Sequence, residues 1–135
     1  MRFLFDASAI LTLLHDEPGA DQVIAALASS AECCMSVANH AEVISRSLDR
    51  GVSSDAIEPL LAQLAYRILP VDIGDGVLAG LLRNRTRPLG LSLGDRLCLA
   101  TASRLGCPVL TADRPWLELA GPLQLDIRCI RPDTY

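Results

Sequence analysis

The chain contains no lysine; all twelve of its basic residues are arginine. Every mechanism that needs a lysine is therefore excluded. Aromatic residues make up only 4%, so the core has to be built from Leu, Ala, Val and Ile. The five cysteines show no metal-binding spacing: Cys33 and Cys34 are adjacent, and Cys98, Cys107 and Cys129 stand alone. An odd number without a Cys-x-x-Cys pair predicts reduced core thiols in a cytosolic protein. No apolar run is long enough to span a membrane, and Asp6 interrupts the apolar N-terminal stretch in a way that argues against a signal peptide. A cytoplasmic location is the expectation. No Gly-x-Gly-x-x-Gly turn follows the first apolar run, which removes a dinucleotide fold. Repeats, low-complexity tracts and linkers are also missing.

What is present fits one domain spanning residues 1–135, long enough to bury a proper core. The formal net charge of -4 argues against a broad electrostatic grip on nucleic acid. Metal ions that neutralise an acidic pocket would remove that objection.

Short apolar runs at residues 2–5, 33–37, 67–71, 108–111 and 125–130 read as strands. Helical patterns lie between them, at 7–14, 21–28, 38–50, 73–83 and 92–104. In the third of these the apolar stripe is Ala41, Ile44 and Leu48, with Val37 just before it. Ser53, Ser54 and Asp55 predict a capped helix reaching residue 66. Residues 83–90, with three arginines, Asn84 and Pro88, read as an exposed loop. A turn at residues 113–115 leads into a short helix. Alternating strands and helices point to an α/β fold with a parallel sheet covered on both faces. Sites in such sheets form beyond the C-terminal ends of the strands.

Four carboxylates fall at that edge. Asp6 follows the first strand directly and Asp113 follows the fourth. Glu42 lies one turn into the helix after the second strand, and Asp95 in the first turn of the helix that begins near Ser92. Singly, each has a structural explanation. Asp6 and Asp113 can cap helices, Asp95 can be the acidic half of a capping box with Ser92, and Glu42 can be solvated. Together they would repel one another unless cations lay between them. Oxygen-only donors suit hard divalent ions such as magnesium or manganese. Phosphodiester hydrolysis needs such a cluster, because a metal ion lowers the pKa of a bound water and shields the attacked phosphate. Ser8 and Thr111, each two residues from an acid, can orient a carboxylate or act as turn hydroxyls.

These residues carry a resemblance. Asp6-Ala7-Ser8 after a strand, a helical Glu42, the segment Leu93-Gly94-Asp95-Arg96-Leu97-Cys98-Leu99-Ala100 and the late Thr111-Ala112-Asp113 resemble a PIN domain. More narrowly, they are similar to VapC-type ribonuclease toxins of bacterial toxin–antitoxin pairs. The resemblance implies a three-layer α/β/α sandwich and magnesium-dependent endoribonuclease activity. It also implies a homodimer, as does a mean hydropathy of +0.32. A cognate VapB-type antitoxin that blocks the acidic pocket, with an inserted arginine, is a further implication. Carried over by motif, Asp6, Asp95 and Asp113 hold the metal and Glu42 completes the catalytic set. Many relatives place another acid two residues after the position of Asp113, where this chain has Pro115.

Two other α/β families fail on single residues. A receiver domain uses a late-strand lysine, and a haloacid-dehalogenase-like phosphatase wants Asp-x-Asp where Asp6-Ala7-Ser8 stands. The remaining rival is a catalytically silent PIN-like module that works by binding a protein. His15 and His40 show no ligand spacing. Arg96 reads as an ordinary surface arginine. Arg83, Arg85 and Arg87 are the only basic cluster, able to guide RNA backbone or simply to solvate a loop.

Overall fold

The computed structural model describes residues 1–132. Five strands, β1 (Arg2–Phe5), β2 (Glu32–Ser36), β3 (Arg67–Leu69), β4 (Val109–Thr111) and β5 (Ile127–Cys129), form one sheet in the order β3-β2-β1-β4-β5. Every pairing is parallel. The chain runs outward from β1 to β3 and then returns to the other side of β1 for β4. That reversal opens a crevice between β1 and β4, where α/β sheets commonly place their sites.

Side-chain alternation along the strands divides the core into two layers. Phe5, Cys33, Met35 and Leu110 face α1 (Ala7–Leu14), α2 (Ala20–Ala28), α3 (Val37–Asp49) and α4 (Ile57–Ala62). Leu4, Cys34 and Val109 face the other way, against Cys98, Leu99 and Ala102 of α7 (Leu93–Leu105) and against Trp116. The result is the three-layer α/β/α sandwich expected. Leu4 and Phe5 are wholly buried, a contribution of about 2 kcal/mol each.

On the Trp116 side lie α5 (Ile73–Leu81), the short α6 (Arg83–Thr86), a 3-10 turn at Arg87–Leu89, a second at Arg114–Leu119, and α8 (Ala120–Leu123). α5 forms despite three glycines because Asp72 and Asp75 close a capping box at its start. No helix is long and apolar enough to cross a membrane among the described residues.

Four local expectations are corrected. Of residues 83–90, expected as a loop, 83–89 are helical and Gly90 ends them in the left-handed region, and the buried Thr86 hydroxyl donates to the Leu82 carbonyl at 2.9 Å and continues the turn. Residues 53–55 do not cap α4, which starts at Ile57 after Ala56 with no side-chain cap and is shorter than expected. Arg96 is buried, and its Nη1 donates to the Ala79 carbonyl at 3.0 Å, docking α7 on α5. Finally, α3 buries Asn39, Val43 and Ser47, while Val37, Ala41 and Leu48 are exposed. Small and polar side chains win the inner face because α3 packs on both α1 and α7 there.

Candidate active site

The four acids meet in one cleft of about 280 Å³, beyond the C-terminal ends of the strands. Asp6, Glu42, Asp95 and Asp113 line it together with Arg46 and Arg131.

Asp6 is the floor. It follows β1 in extended conformation and caps α1, with Oδ1 accepting the Ala9 N–H at 2.9 Å. The Thr111 hydroxyl donates to Oδ2 at 2.6 Å, and the Ser8 hydroxyl lies 2.7 and 2.8 Å from the two oxygens. Ser8 Oγ also accepts the Ala112 N–H at 2.9 Å, and Thr111 Oγ1 accepts the Asp113 N–H at 3.1 Å. Both hydroxyls therefore orient a carboxylate and tie the loop after β1 to the loop after β4. Asp6 is only 2% exposed, and among the described residues no basic side chain is bonded to it. Burial, helped by the nearby charge of Asp95, pushes its carboxyl up to about 7 against the lowering effect of its hydrogen bonds.

Asp95 plays the structural part that was one of its two readings. Its Oδ2 accepts the Ser92 N–H at 2.9 Å while Ser92 Oγ accepts the Asp95 N–H at 3.1 Å, a complete capping box. Only one oxygen is used, so the carboxylate both fixes the helix start and faces the cleft. Glu42 and Asp113 are held above the ordinary carboxylate range, first by burial and then by the Asp95 charge.

Two residues that position Glu42 were not assigned that part from the sequence, although Gly94 lies in the segment that carries the resemblance. Asn39 is fully buried, and its Nδ2 donates to Glu42 Oε1 at 3.1 Å and to the Gly94 carbonyl at 3.2 Å. Glycine at 94 leaves the room in which Glu42 Oε1 lies, since an added Cβ would land on that oxygen and push the side chain aside. Together they lay the Glu42 side chain across the first turn of α7, beside Asp95. The one available hint was spacing: Asn39 precedes Glu42 by three residues, one helical turn. Arg46 and Arg131 were also missed, whereas Arg83, Arg85 and Arg87 do not line the cleft. His40 bonds the Tyr66 hydroxyl at 2.8 Å and His15 lies 3.7 Å from Glu17, so neither joins the site.

Among the described residues no three of these side chains close around one point as a preformed metal-ligand set. The donor chemistry nonetheless fits a hard divalent cation: four carboxylates, one of them buried without a counter-charge, share one opening. Cys98, fully buried below them, has its thiol pushed well above its usual range by burial and does not add a thiolate.

This arrangement of sheet, helices and acids is that of a known class. The PIN domain family pattern matches residues 3–122, and the chain belongs to that family. Its fold is shared with VapBC-1 from nontypeable Haemophilus influenzae at 16% identity and TM-score 0.72, covering 96% of this chain and 98% of that one. A toxin–antitoxin complex from Klebsiella pneumoniae gives 19% identity, TM-score 0.70 and coverage of 94% and 96%. VapBC-5 from Mycobacterium tuberculosis, a member of the VapBC family of toxin–antitoxin systems, gives 22%, 0.60, 97% and 98%. No curated protein sequence matches significantly.

Proposed function

We propose that this chain, as a single PIN unit, is a VapC-like toxin: a magnesium-dependent endoribonuclease restrained by a VapB-type antitoxin. The observation that carries the reading is the buried, uncompensated Asp6 carboxylate in a cleft with three further acids. A catalytically silent PIN-like module would have no use for such a mutually repelling set.

Asp6, Asp95 and Asp113 would hold magnesium, with manganese as a substitute, and Glu42 completes the acidic wall. When bound, the ion supplies an activated water and shields charge on the phosphate and the leaving oxygen. The protein's own contribution is placement. Ser8 and Thr111 fix the Asp6 carboxylate, the Ser92 cap fixes Asp95, and Asn39 with Gly94 fixes Glu42. Glu42, raised by burial, is suited to take a proton from the attacking water.

Two partners belong to the same reading. The VapBC structures that share the fold support a VapB-type antitoxin as a partner, and the acidic cleft is where it would act. A homodimer would cover the outer face of α5, where Ile73, Val77 and Leu81 stand exposed at helical spacing. The cell compartment proposed is the cytoplasm.

The test is cleavage of RNA by the purified protein with magnesium and with chelator. Asp95→Asn should abolish magnesium-dependent cleavage while the folded circular-dichroism spectrum persists. Undiminished cleavage by that variant would overturn the site assignment, and a parent protein inert toward RNA at every magnesium concentration would overturn the function.

A further inference from the structure

The acidic cleft is flanked by two arginines that the metal chemistry does not use. Arg46 lies on α3 one helical turn beyond Glu42, and Arg131 follows β5 on the Asp113 side. β2, from which α3 leaves, and β5 are three strand spacings apart, about 14 Å. The cleft therefore has acids along its middle and a guanidinium at each flank. Arg46 lowers the Glu42 carboxyl and Arg131 the Asp113 carboxyl, which fits this placement, although burial outweighs both.

Neither arginine has its side-chain donors taken up by a hydrogen bond among the described residues. The Arg46 side chain makes no hydrogen bond or ion pair among the described residues. Arg131 has its Nε buried without a hydrogen-bond partner, and Nη2 stays 3.9 Å from Glu17 Oε2. Yet Arg131 is carefully seated. The Arg114 Nη2 donates to its carbonyl at 2.6 Å, and the preceding Ile130 is fully buried with its N–H on the Thr111 carbonyl at 2.8 Å. Gly19, at φ +104°, lets α2 begin against that same Ile130 backbone, where any Cβ would collide. A side chain rooted in so fixed a backbone, paired only at 3.9 Å with Glu17, has donors left for something that enters the cleft.

We propose that Arg46 and Arg131 grip the backbone phosphates on either side of the scissile one, so that single-stranded RNA lies across the cleft from α3 to β5. The inference rests on the ribonuclease reading above and adds to it the direction of the strand and the residues that hold it. Arginine suits the task because its planar fork pairs with two phosphate oxygens at once. It also explains how a chain of net charge -4 binds a polyanion: the cation is local to the cleft. Both are positioning residues, so they act on substrate binding and not on the chemical step.

The experiment measures kcat and KM for a short fluorescein-labelled single-stranded RNA at several salt concentrations, in the parent, Arg46→Ala, Arg131→Ala and the two Arg→Lys variants. Manganese affinity is measured by calorimetry in parallel. Each alanine variant should raise KM about tenfold, leave kcat within about twofold and reduce the slope of log(kcat/KM) against log[salt] by about 0.7. Lysine should recover most of the salt slope, because a point charge still releases counterions. Manganese affinity should be equal or tighter, since removing a nearby cation cannot weaken a cation site. Unchanged KM and salt slope in variants of a parent that cleaves RNA would overturn this grip alone. A loss confined to antitoxin affinity would likewise overturn it. A parent that cleaves no RNA would overturn the function itself, and the grip with it.

Discussion

Asp6 and Asp75 are each 2% exposed, and they have opposite electrostatic fates. Asp75, at the start of α5, receives the Arg104 guanidinium in a bidentate pair at 2.9 and 2.9 Å and a hydroxyl from Thr101 at 3.3 Å. That pairing pulls its carboxyl below the ordinary range. Asp6 receives only hydroxyls and an amide, and burial drives it up to about 7. The same contrast separates the two edges of the sheet. At the N-terminal edge Glu32 lies between Arg2 and Arg67, at 3.1 and 3.2 Å, and is lowered. At the C-terminal edge three acids are raised. A chain that can clasp α5 to α7 with an arginine could have done so at Asp6. That the cleft acids have no hydrogen-bonded cation among the described residues is the contrast on which the proposed metal site rests.

The comparison breaks most sharply under substitution of its two aspartates. Asp6→Asn should lower kcat/KM for RNA roughly a thousandfold, because the cation site loses its central charge. The same variant should melt higher than the parent in chelator at pH 8, since the buried charge is gone. Nearly as large is the pH response of the metal-free protein. Asp6 ionises near 3.8 when unfolded and near 7 when folded, so between those values the folded state holds the extra proton. Stability is then greatest below pH 4 and falls by about 1.4 kcal/mol per unit up to pH 7, roughly 4 kcal/mol in all. Glu42 and Asp113 act in the same direction. Asp75 and Glu32 act in the opposite one, their stabilisation being lost only as pH falls below the ordinary carboxylate range. Chemical denaturation in chelator across pH 4 to 8 should show the net decline, and manganese at pH 8 should reverse it.

Smaller effects sharpen the contrast. Asp75→Asn should cost about 2 kcal/mol in thermal unfolding, because Arg104 loses its bidentate carboxylate and keeps only its pair with Asp72 at 2.9 Å. Its kcat/KM should stay within about twofold of the parent. Gly94→Ala should lower kcat/KM about tenfold by pushing the Glu42 carboxylate aside, with little change in melting temperature, because alanine favours the helix by about 1 kcal/mol. A fall in stability with unchanged kinetics would show that Gly94 serves packing alone.

Much of this contrast was legible in the amino-acid order. All five strands were placed near their observed bounds, because buried parallel strands read as short apolar runs between helical patterns. The four acids were legible because each lies at a strand end or within the first two turns of a helix, positions that topology alone brings to one edge. What supports them was not. Asn39 and Gly94 act through a contact between α3 and α7 that spans 55 residues, and no local pattern encodes that distance. The helix α3 misled for a related reason. Of its expected apolar stripe Ile44 packs against the core, but Ala41 and Leu48, and Val37 before them, face outward, while the crowded inner face takes Asn39 and Ser47. Arg46 and Arg131 have no sequence context of their own, unlike the Arg83–Arg87 cluster that drew attention and lies elsewhere.

The central claim is that the cleft acids lack a bonded cation because they are built to hold a divalent one. Calorimetric titration of manganese into the parent, Asp6→Asn and Asp75→Asn at pH 8 tests it most directly. Saturable binding to the parent and to Asp75→Asn, lost in Asp6→Asn, is the result predicted. Equal binding by all three proteins, or none by the parent, would contradict it.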